Sequence, residues 1–539
     1  MVESRQTDAV AKLIGDKKWA AFSDTPPWQL EHPNTRWSVH AIALRRQAQQ
    51  DVPRLITPRR IPPLGRMFTV VFVLGKALVP WFVKKKLKRF SSPEQSREYV
   101  SLRLRKAVER LGAAYIKLGQ IISSGEGLFP KELVDEFKKC RDQVPSEPFK
   151  VVRLIVEQDL GARLHDVFSE FDETPLAAAS IAQVHRARLT TGEEVVVKVQ
   201  RPDVSASVHR DLTVMAWLAP FMIGRIPVAA LANPPALVEL FAETIVEELD
   251  FRMEAANMID VAKMLRDLEQ EWYVVPRPHP TLVTKRVLVM ERLEGFNFDD
   301  VESMHAAGID TEQVLRTGMI AFMEGALIHG IFHGDLHGGN LFVMRDGRTA
   351  LLDYGIVGRL TTDRRLAFLR LMLGATTNDL NGQVAALRDL GALPVDTDIP
   401  AVIRDLGLDQ PTIDPTTLTQ EELVKEVQRI VKALLAYGAK LPKELMLYVK
   451  NMVFLDGALA RLAPNLDLLA EVANITLIFT QKHGQRLGQE LGIDPTKVEF
   501  NFDSVKAGLG VDANTHSLTY AELQERRQLI QKRMRGGSV

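Results

Sequence analysis

The eight residues HGDLHGGN, positions 333–340, constrain this chain more than any other stretch. They place Asp335 and Asn340 five positions apart in a loop rich in turn-forming residues. After a short hairpin, the sequence LLDYG adds a second acidic position, Asp353. Two carboxylates and an amide at this spacing can hold a base and bind magnesium from two sides of a nucleotide. The pattern predicts a phosphoryl-transfer site, although an aspartate beside a glycine is also a common turn or helix-cap residue.

Length and composition exclude other classes of protein. A chain of 539 residues is long enough for two or three domains, or for one two-lobed catalytic unit with helical extensions. Lys plus Arg and Asp plus Glu both number 68, so no overall charge favours a nucleic acid partner, and we predict none. The single cysteine, Cys140, excludes an internal disulfide and a multi-cysteine zinc site. We predict that Cys140 is a small packing residue on a helix, in a cytoplasmic protein whose N-terminus lacks a secretory signal.

A nearly apolar run, MFTVVFVLGKALVPWFV, occupies residues 67–83 and is interrupted by Lys76 and Pro80. Spanning a bilayer takes about 20 apolar residues, so this run is marginal as a transmembrane helix. The basic sequence KKKLKR, residues 84–89, follows it. An apolar segment joined to bases can anchor a protein on an anionic leaflet, where each base adds about 1 kcal/mol. We predict peripheral association with the inner face of a membrane; the alternative is a buried helix followed by a solvated basic turn.

The periodicity of apolar residues divides the chain into blocks. Two strands around a Thr-Gly turn are predicted within 182–200, and a short buried strand within 286–293. A helix from about 311 to 329 leads into the HGDLHGGN loop, and a hairpin follows. The other helical patterns cover 101–140 as two helices and a loop, 236–270, about 362–480, and 519–535. This block order predicts an α/β (α+β) fold that is bilobal and protein-kinase-like, with an N-terminal helical extension and a helical C-lobe.

Lys198 lies in the predicted strand sequence VVVKV, whose apolar neighbours place it on the inner face. A buried lysine needs partners, and a nucleotide phosphate together with a helix carboxylate would supply two. The alternative is an edge-strand lysine that faces water. With Lys198 on the phosphates, Asp335 would accept a proton or orient the attacking oxygen, while Asn340 and Asp353 would bind Mg2+.

Four further motifs carry a family resemblance. KLGQ, at Lys117–Gln120, is a K-x-G-Q motif, and PLAAASIAQVH, residues 175–185, is an alanine-rich loop in the place of a glycine-rich one. ELDFRME contains an E-x-D pair followed by Glu254, and DYG stands where ordinary protein kinases have D-F-G. With these motifs the chain resembles, over about residues 100–360, the UbiB family of atypical kinase-like proteins, which is linked to ubiquinone and related isoprenoid lipids.

The resemblance implies roles for individual residues. The catalytic residues would be Lys198 and Asp335, and the metal ligands would be Asn340 and Asp353. The residues expected to bind ATP are Leu176, Ala177, Ala178, Ala179, Ser180, Val184, Lys198, Glu254 and Glu291. The regulatory residues of the K-x-G-Q and E-x-D motifs would be Lys117, Gln120, Glu248 and Asp250, with Lys117 reaching the two acids over the nucleotide cleft.

The resemblance also implies a division into domains. We expect an N-terminal region with the membrane-association segment at 1–95 and a helical K-x-G-Q extension at 96–165. A kinase-like N-lobe at 166–296, a kinase-like C-lobe at 297–480 and a tail with a basic helix at 481–539 would follow.

Two of the motifs have simpler interpretations when taken alone. The alanine-rich loop could be a helix start capped by Ser180, and Lys117 and Gln120 could be one polar helix face. Alanines restrict φ where glycines do not, so phosphate contacts in this loop should differ from those of a protein kinase.

The short sequence after Asp353 limits the substrate. About eight residues, GIVGRLTT, separate the DYG motif from the next helical pattern, and no A-P-E sequence follows to dock a peptide. We therefore predict an ATP- and Mg2+-dependent ATPase or atypical kinase that acts on a small or lipid-like molecule at a membrane surface. It would serve quinone or other isoprenoid lipid metabolism, beside enzymes of that pathway. The alternatives are a small-molecule phosphotransferase and a nucleotide-binding scaffold without phosphotransfer.

Overall fold

The structure, a computed structural model, describes most of the chain. The described residues are 20–30, 37–57, 63–123, 130–140, 146–222, 234–377, 379–409, 429–430, 433–434, 436–439, 442–494, 502–509, 511–512 and 514–534. The chain forms two compact units, of which the first comprises Met1–Gly295 and Ala350–Val357 and the second comprises Phe296–Thr349 and Gly358–Val539. The first unit is therefore discontinuous in sequence.

Helices make up the N-terminal part of the first unit. They are α1 (Ser38–Ile56), α2 (Leu64–Lys86), α3 (Pro93–Leu111), α4 (Ala113–Ser123), α5 (Lys131–Lys138), α6 (Phe149–Leu160) and α7 (Leu164–Val167). The hydroxyl of Ser92 caps α3 by accepting a hydrogen bond from Gln95 N, and Gly112, with φ of 97°, ends it. The two helices predicted within 101–140 are therefore three, because Gly112 separates α3 from α4. Residues 124–129, which belong to the predicted loop, lie outside the described residues.

Cys140 is buried in the turn after α5, and not on a helix as predicted. Burial raises the pKa of its thiol to about 12. A thiol that stays protonated at neutral pH is a poor nucleophile, so Cys140 is a packing residue.

Helix α2 contains the apolar run and packs one side against α3. Val70, Ala77 and Trp81 are buried, and the Trp81 indole N–H donates to Ser96 Oγ at 3.0 Å. Seven large apolar side chains face outward instead and form what we call the exposed stripe: Leu64, Phe68, Val71, Phe72, Val79, Phe82 and Val83. The interpretation of this run as a buried helix is therefore wrong. By length and composition alone, α2 is the one helix in the described ranges that could cross a membrane.

A six-stranded antiparallel sheet follows the helices. Its strands are β1 (Phe168–Phe171), β2 (Ala177–Ala178), β3 (Ala182–Leu189), β4 (Glu194–Gln200), β6 (Pro278–Val283) and β7 (Val287–Glu291), in the order β1-β3-β4-β7-β6 with β2 also on β3. The strand pair predicted within 182–200 and the strand predicted within 286–293 are confirmed. Val195, Val197 and Val199 join a buried core with α6, so the alternation of a strand turns Lys198 to the opposite face.

Helices follow β4 in the chain, and the last of them packs against β6 and β7. They are α8 (Val204–Met222), α9 (Pro234–Glu248) and α10 (Phe251–Asp267), and the short strand β5 (Tyr273–Val274) follows them. The predicted helical block at 236–270 is thus two helices, since Asp250 has extended backbone and its carboxylate caps α10 by accepting a hydrogen bond from Arg252 N.

The second unit is mainly helical. Before the chain returns to the first unit at residue 350, the second unit contains β8 (Phe296–Asn297), α11 (Val301–Ala306), α12 (Thr311–Glu324), a π-helical turn (Gly325–His329), β9 (Ile331–His333), a 3-10 turn (Gly338–Asn340) and β10 (Leu341–Val343). The strands β11 (Thr349–Leu351) and β12 (Val357–Arg359) flank that return. The remaining helices are α13 (Thr362–Thr377), α14 (Leu380–Asp389), α15 (Ile399–Leu406), α16 (Lys443–Leu462), α17 (Leu468–Leu491), α18 (Phe502–Gly508) and α19 (Tyr520–Met534).

An aromatic cluster supports β9, which leads into the HGDLHGGN loop. The Phe332 ring packs edge-on against Phe322 and Tyr448, with centroids 5.7 and 6.0 Å away. Gly358 lies so close to this ring that a Cβ there would be 2.2 Å from Phe332 Cζ. The helix predicted from 311 to 329 ends as a π-helical turn, closed by Gly330 with φ of 80°. The start of the loop is therefore fixed by packing.

Candidate functional site

Lys198 is the centre of a buried charge cluster in the first unit. Its Nζ lies 2.7 Å from Glu254 Oε1 and 2.9 Å from Asp353 Oδ2. The Lys198 and Glu254 side chains are 10% and 2% exposed, whereas the Asp353 side chain is 41% exposed. The alternative of an edge-strand lysine that faces water is therefore wrong. The three members of the cluster come from strand β4, helix α10 and the segment 350–357 of the first unit.

The charges of the cluster shift one another. Burial alone would lower the pKa of Lys198, but Asp353 and Glu254 outweigh it and the pKa lies above its usual range. Burial raises the pKa of Glu254 to about 7, although Lys198 opposes the shift. Burial would also raise the pKa of Asp353, yet Lys198 and the hydrogen bond from Gly355 N hold it near 2. At neutral pH the cluster thus keeps an ammonium and an ionised, solvent-reachable carboxylate side by side.

The K-x-G-Q helix contributes a second lysine to the first unit. Lys117 Nζ on α4 lies 2.9 Å from Glu248 Oε1 at the end of α9. Gln120 is partly buried on the same helix. The carboxylate of Asp250 instead caps α10 and binds the Arg252 guanidinium, at 2.6 and 2.9 Å. Glu248 reaches the DYG turn, since a Cβ on Gly355 would be 3.2 Å from both Glu248 Cγ and Asp353 Oδ1.

The alanine-rich loop is a tight hairpin and not the start of a helix. Leu176 N donates to the carbonyl of Val184, and Ala179 N donates to the carbonyl of Ala182, both at 2.8 Å. Arg201 Nε donates to the carbonyl of Ala179 at 2.9 Å, which holds the tip. The exposed residues of the loop are Leu176, Ala177 and Ala179; Ala178 is partly buried and Ser180 is buried. The loop therefore offers backbone and small apolar groups to solvent.

Glu291 ends β7, where the resemblance places a nucleotide contact. Its carboxylate accepts hydrogen bonds from the hydroxyl of Ser23 and from Arg277 N. Burial raises its pKa. The side chain of Glu291 is therefore bound by Ser23 and Arg277 within the first unit.

The HGDLHGGN loop belongs to the second unit. Asn340 Nδ2 donates to the carbonyl of Asp335 at 3.0 Å, which leaves the amide oxygen of Asn340 as the atom that could bind a cation. Asp335 N donates to His333 Nδ1 at 3.1 Å. Lys450 of α16 forms an ion pair with the carboxylate of Asp335. Asn451, the next residue, accepts a hydrogen bond from Leu336 N at 3.0 Å.

The donors fit magnesium better than a transition metal. The described residues contain no group of three or more His, Cys, Asp or Glu side chains that could hold a metal ion. Mg2+ needs no such group, because one or two protein oxygens, substrate phosphates and water complete its shell. Each unit has a donor of this kind: Asp353 of the first has an ionised carboxylate, and Asn340 of the second has an amide oxygen.

Lys450 and Asn451 were missed by the sequence analysis. They lie 115 residues beyond the loop that they contact. Their sequence context, YVKNMVF, reads as an ordinary amphipathic helix. One available signal was that HGDLHGGN contains no Lys or Arg, so any protein cation beside Asp335 would come from another segment.

Known proteins resemble this chain over most of its length. The ABC1 atypical kinase-like domain matches residues 139–387. An uncharacterised aarF domain-containing protein kinase of Arabidopsis thaliana chloroplasts is 33% identical over 69% of this chain and 73% of its own length. An uncharacterised protein of Mycobacterium tuberculosis is 32% identical over 77% of this chain and 86% of its own length. A probable protein kinase UbiB of Vibrio vulnificus is 32% identical over 68% of both chains.

The 139–387 match includes the segments that carry the charge cluster, the alanine-rich hairpin and the HGDLHGGN loop. The mixed α/β architecture also agrees with the predicted kinase-like fold. This chain therefore belongs to the family of ABC1 atypical kinase-like proteins, together with aarF domain-containing kinases and UbiB.

Proposed function

We propose that the chain binds Mg-ATP and transfers its terminal phosphoryl group to water or to a small, lipid-like acceptor. The observation that carries the proposal is the contact of Lys198 with both Glu254 and Asp353 in the first unit. Glu254 holds the ammonium in place, and the more exposed Asp353 is able to exchange it for a cation. A lysine held in this way is suited to bind phosphates.

In this reaction the bond between the γ-phosphorus and its bridging oxygen breaks as the attacking oxygen binds phosphorus. The attacking group passes its proton to Asp335, and ADP leaves. Asp353 and Asn340 would hold Mg2+, which neutralises charge on the phosphates. Lys198 would bind the same phosphates, and the alanine-rich hairpin would cover them with backbone N–H groups.

The test is the formation of ADP by the purified full chain, with and without Mg2+. Asp353→Asn should lower the Mg-dependent rate about 100-fold or more, because the ionised ligand is lost. Asp135→Asn is the matched control, since Asp135 lies 44% exposed on α5 in an i,i+4 pair with Lys131, and it should leave the rate unchanged. A folded wild-type chain that binds nucleotide in a calorimeter without turnover would identify the scaffold alternative. Absence of turnover refutes the proposed transfer in either case, and absence of binding as well would refute the scaffold alternative too.

Peptide substrates are disfavoured. Residues 354–361 are all that separate Asp353 from α13. The relative in Vibrio is named a probable protein kinase, so phosphorylation of a protein should be assayed beside ATP hydrolysis.

The exposed stripe of α2 favours action at a membrane surface. Phe68 and Phe72 are 72% and 61% exposed, with stacked rings 6.4 Å apart. The basic residues 84–89 follow directly, and a helix with this arrangement binds anionic lipid by inserting its apolar face among the headgroups. We expect α2 to lie along the cytoplasmic face, as a peripheral anchor.

Vesicle binding tests this location. The chain should co-sediment with phosphatidylglycerol vesicles more than with phosphatidylcholine vesicles, and Phe68→Asp should weaken the binding. Leu477→Asp is the control, because Leu477 is 54% exposed on α17, outside the stripe. Equal binding by both variants would contradict the role of α2.

We infer an acceptor from quinone metabolism, because the UbiB family that the chain resembles is linked to ubiquinone and related isoprenoid lipids. Quinone precursors in anionic vesicles should therefore raise the rate of ATP turnover. A rate that responds to soluble amino alcohols or sugars and not to vesicles would favour the small-molecule phosphotransferase.

A further inference from the structure

Two neighbouring residues of α16 contact the loop that carries Asp335. The ammonium of Lys450 pairs with Asp335 Oδ1, and the two side chains are 15% and 18% exposed. Asn451 is fully buried; it accepts the hydrogen bond of Leu336 N at 3.0 Å and donates to the carbonyl of His333. The side chains of two consecutive residues thus contact positions 333, 335 and 336.

Asp335 is held at each of its polar groups. Its N–H donates to His333 Nδ1 at 3.1 Å, and its carbonyl accepts from Asn340 Nδ2 at 3.0 Å. Asn451 binds the 333–334 and 335–336 peptide groups, and Lys450 binds the carboxylate of Asp335. Such restraint fixes the direction of a catalytic group to within the tolerance that catalysis demands.

The cation beside Asp335 comes from outside the loop. HGDLHGGN contains two histidines and no lysine or arginine. A carboxylate that is largely removed from water is costly without a counter-charge. Lys450 supplies it from a helix, which is a more rigid support than the loop.

We propose that Lys450 and Asn451 are positioning residues for Asp335 in phosphoryl transfer. Asn451 sets the backbone of the loop, and Lys450 aims the carboxylate of Asp335 at the attacking oxygen and balances its charge. This inference rests on the proposed function. It assigns a catalytic task to α16, a segment beyond the 139–387 match to the kinase-like domain.

The kinetic test compares Lys450→Met with Lys450→Arg. Lys450→Met should lower kcat at least about tenfold with little change in the KM for ATP, because the reacting group is misdirected while nucleotide binding persists. Lys450→Arg should restore most of kcat, since the guanidinium keeps the charge. Arg527→Met is the control, because it removes the ion pair of Arg527 with Asp456 elsewhere on α16 and should leave kcat unchanged.

A double-mutant cycle separates positioning from general stability. In an Asp335→Asn background, Lys450→Met should cause no further loss of rate, because its effect passes through Asp335. Losses that multiply, a lack of rescue by arginine, or an effect equal to that of Arg527→Met would overturn the inference.

Hydrogen exchange supplies a readout that does not depend on turnover. Asn451→Ala should speed amide exchange in a peptide spanning 331–341 at least about tenfold without nucleotide, and Arg527→Met should not. A wild-type chain without turnover would refute the proposed function, and unchanged exchange would refute the positioning by Asn451. If the wild type turns over ATP and Lys450→Met keeps its kcat, the inference about Lys450 fails alone.

Discussion

Replacing Lys198 by methionine tests the charge cluster of the first unit through stability. The substitution leaves the carboxylates of Glu254 and Asp353, whose side chains are 2% and 41% exposed, without their shared cation. Removing one partner of a buried ion pair costs about 3–5 kcal/mol, because the remaining charge is uncompensated. The more exposed Asp353 can be solvated, so most of the cost comes from Glu254.

The cost of Lys198→Met should depend on pH. The pKa of Glu254 is already raised to about 7, and loss of the lysine raises it further. Below pH 7 the carboxyl of Glu254 is largely protonated with or without Lys198, so little is lost. Above pH 7 the variant must either bury a charge or bind a proton that the wild type does not bind, and its relative stability falls by up to about 1.4 kcal/mol per pH unit.

Urea denaturation at about pH 6 and about pH 8.5 measures this difference. We expect a loss of about 1 kcal/mol at the lower pH and about 3 kcal/mol at the higher, since about 1.5 pH units above the pKa of Glu254 add about 2 kcal/mol. Hydrogen exchange in peptides spanning 194–200 and 251–267 should place the loss in the first unit. Lys131→Met is the control, because Lys131 is 52% exposed and should change stability by less than about 0.5 kcal/mol. Equal losses at the two pH values would refute the reasoning.

Two further substitutions test packing described above. Gly358→Ala should lower the stability of the second unit by about 1–3 kcal/mol, since its Cβ would overlap the Phe332 ring, whereas Gly457→Ala, with open space around it, should be neutral or stabilising in thermal denaturation. Arg103→Met should destabilise α2, because Arg103 donates at 2.6 Å to the carbonyl four residues before Pro80, which has no N–H to give it. The loss should shrink in a Pro80→Ala background, where the helical donor returns, and a loss of the same size there would contradict this account.

Sequence patterns predicted the elements whose local signals are strong. The apolar neighbours of Lys198 in VVVKV predicted strand β4 and a buried lysine. The hairpin after the HGDLHGGN loop was also predicted, and Gly347 in its turn has a positive φ. The apolar run gave α2, which extends from Leu64 to Lys86. Periodicity did not reveal that its stripe is exposed, because burial depends on which neighbours cover a helix.

Contacts between distant segments had no local signal. Lys450 and Asn451 are separated from the loop by 115 residues, and a single sequence carries no trace of that pairing. The break at Gly112 was overlooked because a single glycine is tolerated within a helical pattern. The two acids of the E-x-D motif also have different partners. Glu248 ends α9 and pairs with Lys117, whereas Asp250 caps α10 and pairs with Arg252.

The discontinuity of the first unit has a consequence for the order in which the protein matures on the ribosome. Tyr354 is fully buried, and its carbonyl accepts a hydrogen bond from Asn257 at 2.9 Å. These groups and Asp353 leave the ribosome only after the intervening residues 296–349 have been made. A nascent chain that ends at residue 295 would therefore lack the buried Tyr354 side chain and the carboxylate that pairs with Lys198. The first unit can fold completely only after translation has passed Val357. A chain truncated before that point should need chaperones.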